Sequence, residues 1–280
     1  MILCFKKICD DMTIYMLCDN GSVRPDATLK LRVLAANLSE RCGKTIHPVS
    51  LMHANRIAAE DINNEPADIF PDFLDQQLSA GERDFTVIPL FFGKSRALTN
   101  YIPQKTLDAT EKFGPFTLDI KEVLYPLPDG ESELVKILID HIRETASEAS
   151  QPLRNTVLVD HGSPIPQVTA VREHIAQLIQ QSPDIDIDLA QCVMERREGK
   201  EYDFNGPLLE DWLIEKARNG EKSAIVAMMF ILPGRHAGAN GDIVEICESV
   251  MQRYPGFKIS ISPLISEHDS LLDLLTKRLQ

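Results

Sequence analysis

Tyr15-Met-Leu-Cys-Asp-Asn-Gly-Ser22 and Thr156-Val-Leu-Val-Asp-His-Gly-Ser163 are the two stretches that decide the fold. Each is a short apolar run closed by Asp-x-Gly-Ser, the pattern of a buried strand feeding a turn. They lie at an offset of 141 residues. Val87-Ile-Pro-Leu-Phe-Phe-Gly-Lys-Ser95 lies over Met228-Met-Phe-Ile-Leu-Pro-Gly-Arg-His236 at that same offset of 141. Between them, Ser50-Leu-Met-His53 matches Cys192-Val-Met-Glu195 at 142, a gap of one residue. An offset kept over about half the chain marks a duplicated domain.

Working outward, apolar runs alternate with amphipathic stretches, the signature of βα units and a parallel sheet. In the first half, strands are expected at Thr13–Cys18, Ile46–Met52, Phe85–Pro89 and Thr117–Val123. Helices are expected at Pro25–Cys42, Pro66–Ala80, around Lys105–Phe113, and at Glu131–Ala146. Ser147–Arg154 is polar, contains a proline and suits a linker. The series then restarts, with strands at Asn155–Val159, Ile185–Met194, Ser223–Phe230 and Lys258–Ile261. Its helices are Val168–Gln181, Pro207–Asn219, Ile243–Tyr254 and Ser270–Leu279. The expected fold is α/β, with two similar lobes spanning 12–148 and 152–280. Each lobe is a parallel four-stranded sheet flanked by helices, and an active cleft lies between them. In such sheets ligands bind beyond the carboxyl ends of the strands, where the matched stretches end.

Composition removes other classes. With 280 residues, 44% hydrophobic and 25% charged, the chain can bury a core without metal or disulfide staples. A net charge of −13, with no polybasic stretch, argues against nucleic-acid binding. No apolar run reaches the roughly 18 residues of a membrane span. The six cysteines Cys4, Cys9, Cys18, Cys42, Cys192 and Cys247 form no CxxC and read as reduced thiols of a cytoplasmic protein. Cys4 and Cys9 could also form half of a metal or redox site. No GxxxxGK[ST] phosphate loop is present, so ATP is not expected to take part.

Three strand ends in the second half carry chemistry. His161 closes the first, Glu195 the second, and His236 follows the third in Leu232-Pro-Gly-Arg-His236. Singly, each has a bland reading: a cap, a solvated carboxylate, a histidine in a flexible turn. Together, two imidazoles and a carboxylate suit borderline divalent ions such as Co²⁺, Ni²⁺ and Fe²⁺ while leaving coordination positions open. They could also take protons from a weakly acidic N–H, since histidine titrates near neutrality.

Leu158-Val-Asp-His-Gly-Ser163, Met194-Glu195, Pro233-Gly-Arg-His236 with Asp242-Ile243, and Ser262-Pro-Leu-Ile-Ser-Glu-His268 resemble the class II tetrapyrrole chelatases. Within these the sequence is similar to the sirohydrochlorin cobaltochelatase and ferrochelatase branch (CbiX/SirB type) in its two-repeat long form. The resemblance, drawn over both halves, implies ATP-independent insertion of Co²⁺ or Fe²⁺ into sirohydrochlorin or a related tetrapyrrole. It gives the catalytic and metal-handling roles to His161, Glu195 and His236. His268 matches a recurrent position and receives no catalytic role. Asn20, His53 and Ser95 stand where the second half has His161, Glu195 and His236, so the first lobe is expected to be a degenerate wall.

A substrate rich in carboxylates needs focused positive charge on an acidic protein. Arg196, Arg197 and Arg235, with Lys94 and Arg96 from the other lobe and Ser163 in the turn, are the expected substrate-binding residues. No cofactor is expected beyond the divalent metal that is itself a substrate. The partners are the tetrapyrrole and the ion, without nucleic acid or membrane, in a monomer or homodimer. Two other readings are a non-catalytic tetrapyrrole or metal carrier, and a two-lobed small-ligand binding or regulatory protein with structural histidines.

Overall fold

The structure, a computed structural model, describes residues 13–279. Cys4, Cys9 and the first residue of the expected first lobe therefore lie outside the described residues. The first lobe contains β1 (Ile14–Asp19), α1 (Pro25–Cys42), β2 (Ile46–Ser50), α2 (Phe70–Ala80), β3 (Asp84–Pro89), α3 (Ile102–Phe113) and β4 (Thr117–Ile120). A helix α4 (Ser132–Glu148) follows. The second lobe repeats the series as β5 (Thr156–Asp160), α5 (Pro166–Gln181), β6 (Leu189–Val193), α6 (Leu209–Arg218), β7 (Ser223–Met228), α7 (Asp242–Arg253), β8 (Lys258–Ile261) and α8 (Ser270–Arg278). Both sheets are parallel, in the orders β2-β1-β3-β4 and β6-β5-β7-β8. β1, β3, β5 and β7 are flanked on both sides and are largely buried, as strands covered on both faces must be. Among the described residues no helix is long and apolar enough to cross a membrane.

Hydrogen bonding fixes how the repeats superpose, and it moves two of the letter matches. Leu90 N donates to Cys18 O just as Met229 N donates to Val159 O. Val87 therefore corresponds to Val226 instead of Met228, two residues away from the alignment by letters. Along β2 and β6, Met52 N donates to Asn20 O at 3.2 Å as Glu195 N donates to His161 O at 3.1 Å. Met52, not His53, occupies the place of Glu195. Apolar residues in short buried strands are interchangeable as letters, whereas the backbone ladder admits one register. The match of β1 with β5 needs no such shift.

The last helix of each half crosses to the other lobe. After β4 the chain leaves the sheet at Lys121, and α4 packs against β7, β8, α5 and α8. α8 in turn packs against α1 and α4. The expected lobe of 12–148 thus contains a helix whose buried face serves the second lobe. Leu134, Ile137, Leu138 and Ile142 of α4 are fully buried in one cluster with Leu17 and Ile88 of the first sheet and Leu158 and Ala227 of the second. Leu138→Ala is expected to cost about 2–5 kcal/mol. Because the cluster is shared, chemical denaturation should still show one transition, at a lower midpoint. Two separated transitions would contradict the shared core.

His141 of α4 is 2% exposed and its ring lies 5.4 Å from that of His268. Burial, and next the neighbouring His268, pushes its pKa from 6.5 down to about 4, partly offset by Asp140. Its folded-state pKa lies below the unfolded value, so the neutral ring stabilises the fold above about pH 6.5. That contribution is lost progressively as pH falls from 6.5 toward 4. Melting temperature should fall across this window, and His141→Phe should flatten the fall.

Candidate active site at the carboxyl ends of the two sheets

The turn after β5 is set by a close approach. Gly162 has φ +91°, and a Cβ there would lie 2.0 Å from Glu195 O. Only glycine permits both the left-handed backbone and that contact. The turn thereby places His161 beside Glu195, with Nε2 to Oε1 at 3.3 Å. Gly21 in the first lobe repeats the device, with φ +87° and Met52 O at 1.8 Å from the same hypothetical atom.

His236 reaches the site on the loop between β7 and α7. Asp242 N donates to Arg235 O and Ile243 N to His236 O, so the start of α7 holds the loop. The rings of His161 and His236 meet edge to face, with centroids 4.5 Å apart at 70°. His236 Nδ1 donates to Asp242 Oδ2 at 2.6 Å, which leaves Nε2 with its lone pair free to accept a proton or ligate a metal. His161 Nδ1 faces Gly162 O at 3.0 Å and can only donate there. Its Nε2 is then an acceptor facing the Glu195 carboxylate, a pairing that calls for a proton or a cation between the two atoms.

The histidine pair opens on a cleft of 640 Å³ lined by both lobes. That size lies within the range of about 300–1,000 Å³ typical of small-molecule sites. Leu90 and Phe92 of the first lobe and Val168, Met229, Phe230 and Ile231 of the second make its walls largely apolar. Asn20, His53 and Arg56 come from the first lobe; Asp160, Arg235, His161 and His236 come from the second. Burial raises the pKa of Asp160, against the lowering effect of Arg172. Burial likewise pushes the thiols of Cys192 and Cys247 to about 12, so neither offers a thiolate near neutrality. Cys18, Cys42, Cys192 and Cys247 are all free.

Not every expected residue comes to this place. Glu195 touches His161 but is exposed at the rim and does not line the cleft. Among the described residues no three His, Cys, Asp or Glu side chains are grouped to hold a metal ion. His161, Glu195 and His236 are neighbours, not a formed cage. Of the expected substrate-binding set, only Arg235 lines the cleft. Arg196 pairs with Asp203 and donates to Gly206 O, and Arg197 lies over the ring of Tyr202. Both border a separate shallow depression, because the chain turns away from the cleft after Glu195. Lys94 pairs with Glu122, and neither it nor Arg96 lines the cleft. Ser163 serves the turn: its Oγ accepts from Ile165 N, and its own N donates to Asn205 Oδ1. Ser95 does not match His236: the register that pairs Leu90 with Met229 places it at Gly234.

Sequence reasoning gave no role to Arg56 and Asp242. Asp242 stood in the quoted Asp-Ile pair and was the legible one. Arg56 sits in a short helical turn, Ala54–Arg56, after β2, and no motif marks it.

Residues 155–280 match the CbiX family model. Solved structures share the fold over nearly the whole chain. SirB from Bacillus subtilis with Fe³⁺ superposes with a TM-score of 0.68 at 14% identity, covering 96% of this chain and 94% of that one. The sirohydrochlorin chelatase SirB from Bacillus subtilis subspecies spizizenii, in complex with cobalt, gives 0.66 at 15% identity, over 95% and 93%. CbiX, described as the terminal enzyme for biosynthesis of siroheme in denitrifying bacteria, gives 0.58 at 12%, over 96% and 97%. No curated protein matches the chain by sequence. The resemblance drawn over both halves thus divides: the family match lies in the second lobe, and the first lobe shares the fold. Through residues 155–280 the chain is similar to the CbiX family, and over nearly its whole length it shares the fold of SirB and CbiX.

Proposed function

We propose that this chain inserts a divalent metal, Co²⁺ or Fe²⁺, into sirohydrochlorin or a related tetrapyrrole without ATP. The observation that carries the reading is the His161–His236 pair, 4.5 Å between ring centroids, at the edge of a cleft with apolar walls from both lobes. A flat macrocycle fits between two such walls, and its carboxylates can meet Arg235 on one side and Arg56 on the other. The match of residues 155–280 to the CbiX family model and the fold shared with SirB and CbiX support the same reading.

Insertion exchanges two pyrrole N–H protons for one M²⁺. His161 Nε2 and Glu195 Oε1, two acceptors 3.3 Å apart, are placed to receive and share a proton. His236, oriented by Asp242, presents Nε2 as the second acceptor. Two imidazoles and one rim carboxylate hold an incoming ion without trapping it, because the ring must take it away. The test is anaerobic absorbance with sirohydrochlorin and Co²⁺ or Fe²⁺. The spectrum of the metallated ring should develop well above the uncatalysed rate. Tight tetrapyrrole binding without acceleration would replace this reading with that of a carrier.

A further inference from the structure

The duplication supplies an internal comparison at the buried carboxylates that end the two central strands. Asp19 and Asp160 are 9% and 7% exposed, and each needs a hydrogen-bonding partner. In the first lobe Ser50 Oγ donates to Asp19 Oδ1 at 2.7 Å, and Leu31 of α1 is buried. In the second lobe Val193 takes the place of Ser50 and Arg172 that of Leu31. Arg172 is 2% exposed, and its Nη1 donates to Asp160 Oδ1 at 2.6 Å. A buried ion pair is costly to desolvate and is weak evidence for stability. The first lobe shows that this fold does without one.

Arg172 also does more than neutralise Asp160. Its Nη1 donates to Cys192 O at 3.2 Å, on the strand that leads to Glu195. Its Nη2 donates to Asn205 O at 2.7 Å. The fully buried Asn205 then brackets the turn after His161: Oδ1 accepts from Ser163 N at 2.9 Å and Nδ2 donates to Ser163 O at 2.9 Å. Asp160 Oδ1 accepts from Gly162 N at 3.2 Å. The corresponding loop of the first lobe is held by Arg32, which donates to the carbonyls of Ile62, Glu65 and Pro66. Holding a loop therefore does not require an arginine beneath the glycine turn.

We propose that Arg172, with Asp160 and Asn205, is a positioning network that fixes His161 and Glu195 in register for metal transfer. The proposal rests on reading the cleft as a metal-insertion site. Its test gives the second lobe the first lobe's solution, Arg172→Leu with Val193→Ser, so that Asp160 keeps a hydroxyl partner. The double variant should melt cooperatively. Its kcat for Co²⁺ insertion into sirohydrochlorin should fall about tenfold or more, from the loss of charge-assisted bonds, with KM for the tetrapyrrole nearly unchanged. Amide hydrogen exchange should accelerate at Gly162, Ser163 and Glu195 and stay slow at Leu158. Asn205→Ala, which leaves the Asp160–Arg172 pair intact, should accelerate exchange at Ser163 and lower kcat in the same sense. It serves as the second variant should the double variant not fold. Wild-type kcat and wild-type exchange in the folded variants would overturn the proposal. A wild-type protein that inserts neither Co²⁺ nor Fe²⁺ would instead overturn the functional reading, and amide exchange alone would then decide the positioning claim.

Discussion

His236→Ala is expected to reduce metal insertion by about a hundredfold to a thousandfold with little loss of stability, consistent with the loss of one proton acceptor and one metal contact. His236 sits on a loop, half-buried, and packs edge to face on His161 at 4.5 Å instead of filling a core position. Its removal leaves Asp242 with Arg235 3.9 Å away, so no buried charge is stranded. The fold therefore has little reason to notice the change. The check pairs initial rates of Co²⁺ insertion with a thermal melt. A rate within threefold of wild type would remove His236 from the chemistry.

Gly162→Ala should cost more stability than a single added methyl ordinarily does. The new Cβ would meet Glu195 O at 2.0 Å, and φ +91° is a backbone state that alanine adopts only under strain. Strain of this kind costs about 1–3 kcal/mol, and the clash with a strand-end carbonyl adds to it. Gly21→Ala faces Met52 O at 1.8 Å and φ +87°, so its stability loss should be similar. The two variants should diverge in activity. At a temperature where both remain folded, Gly162→Ala displaces His161 and Glu195 and should abolish insertion. Gly21→Ala moves Asn20 and Met52 and should spare most of it. Thermal melts and insertion rates measured on both variants check this, and equal loss of activity in both would show the lobes to be functionally equivalent.

The duplicated α/β fold was legible because β1 and β5 align without a gap and both end in Asp-x-Gly-Ser. Periodicity placed the strands and the α-helices of the described residues, but not short helical turns such as Ala54–Arg56. α1 was found at its observed bounds, since a proline opens it and Gly43 closes it in a left-handed turn. The register of β2 and β3 against β6 and β7 was not legible, because apolar letters do not distinguish neighbouring alignments. Nor was the crossing of α4, whose broad apolar face says that something covers it but not which lobe does.

At the site, His161, Glu195 and His236 were readable as strand-end residues, and the structure makes them neighbours. The basic residues were not. Arg196 and Arg197 follow Glu195 in sequence, yet the chain turns away and pairs Arg196 with Asp203. Arg56 enters the cleft from a loop whose path no periodicity records. Arg172 looked like any charged residue of an amphipathic helix, and its burial is set by the carboxylate opposite it.

The central claim is that the second lobe carries the chemistry while the first supplies a wall. The most direct test measures initial rates of anaerobic Co²⁺ insertion into sirohydrochlorin for wild type, His161→Ala and Asn20→Ala, since Asn20 is the first-lobe counterpart of His161 in the same cleft. The account predicts a loss of about a hundredfold or more for His161→Ala and a change within a few-fold for Asn20→Ala. Equal effects from the two, or a His161→Ala protein as fast as wild type, would contradict it.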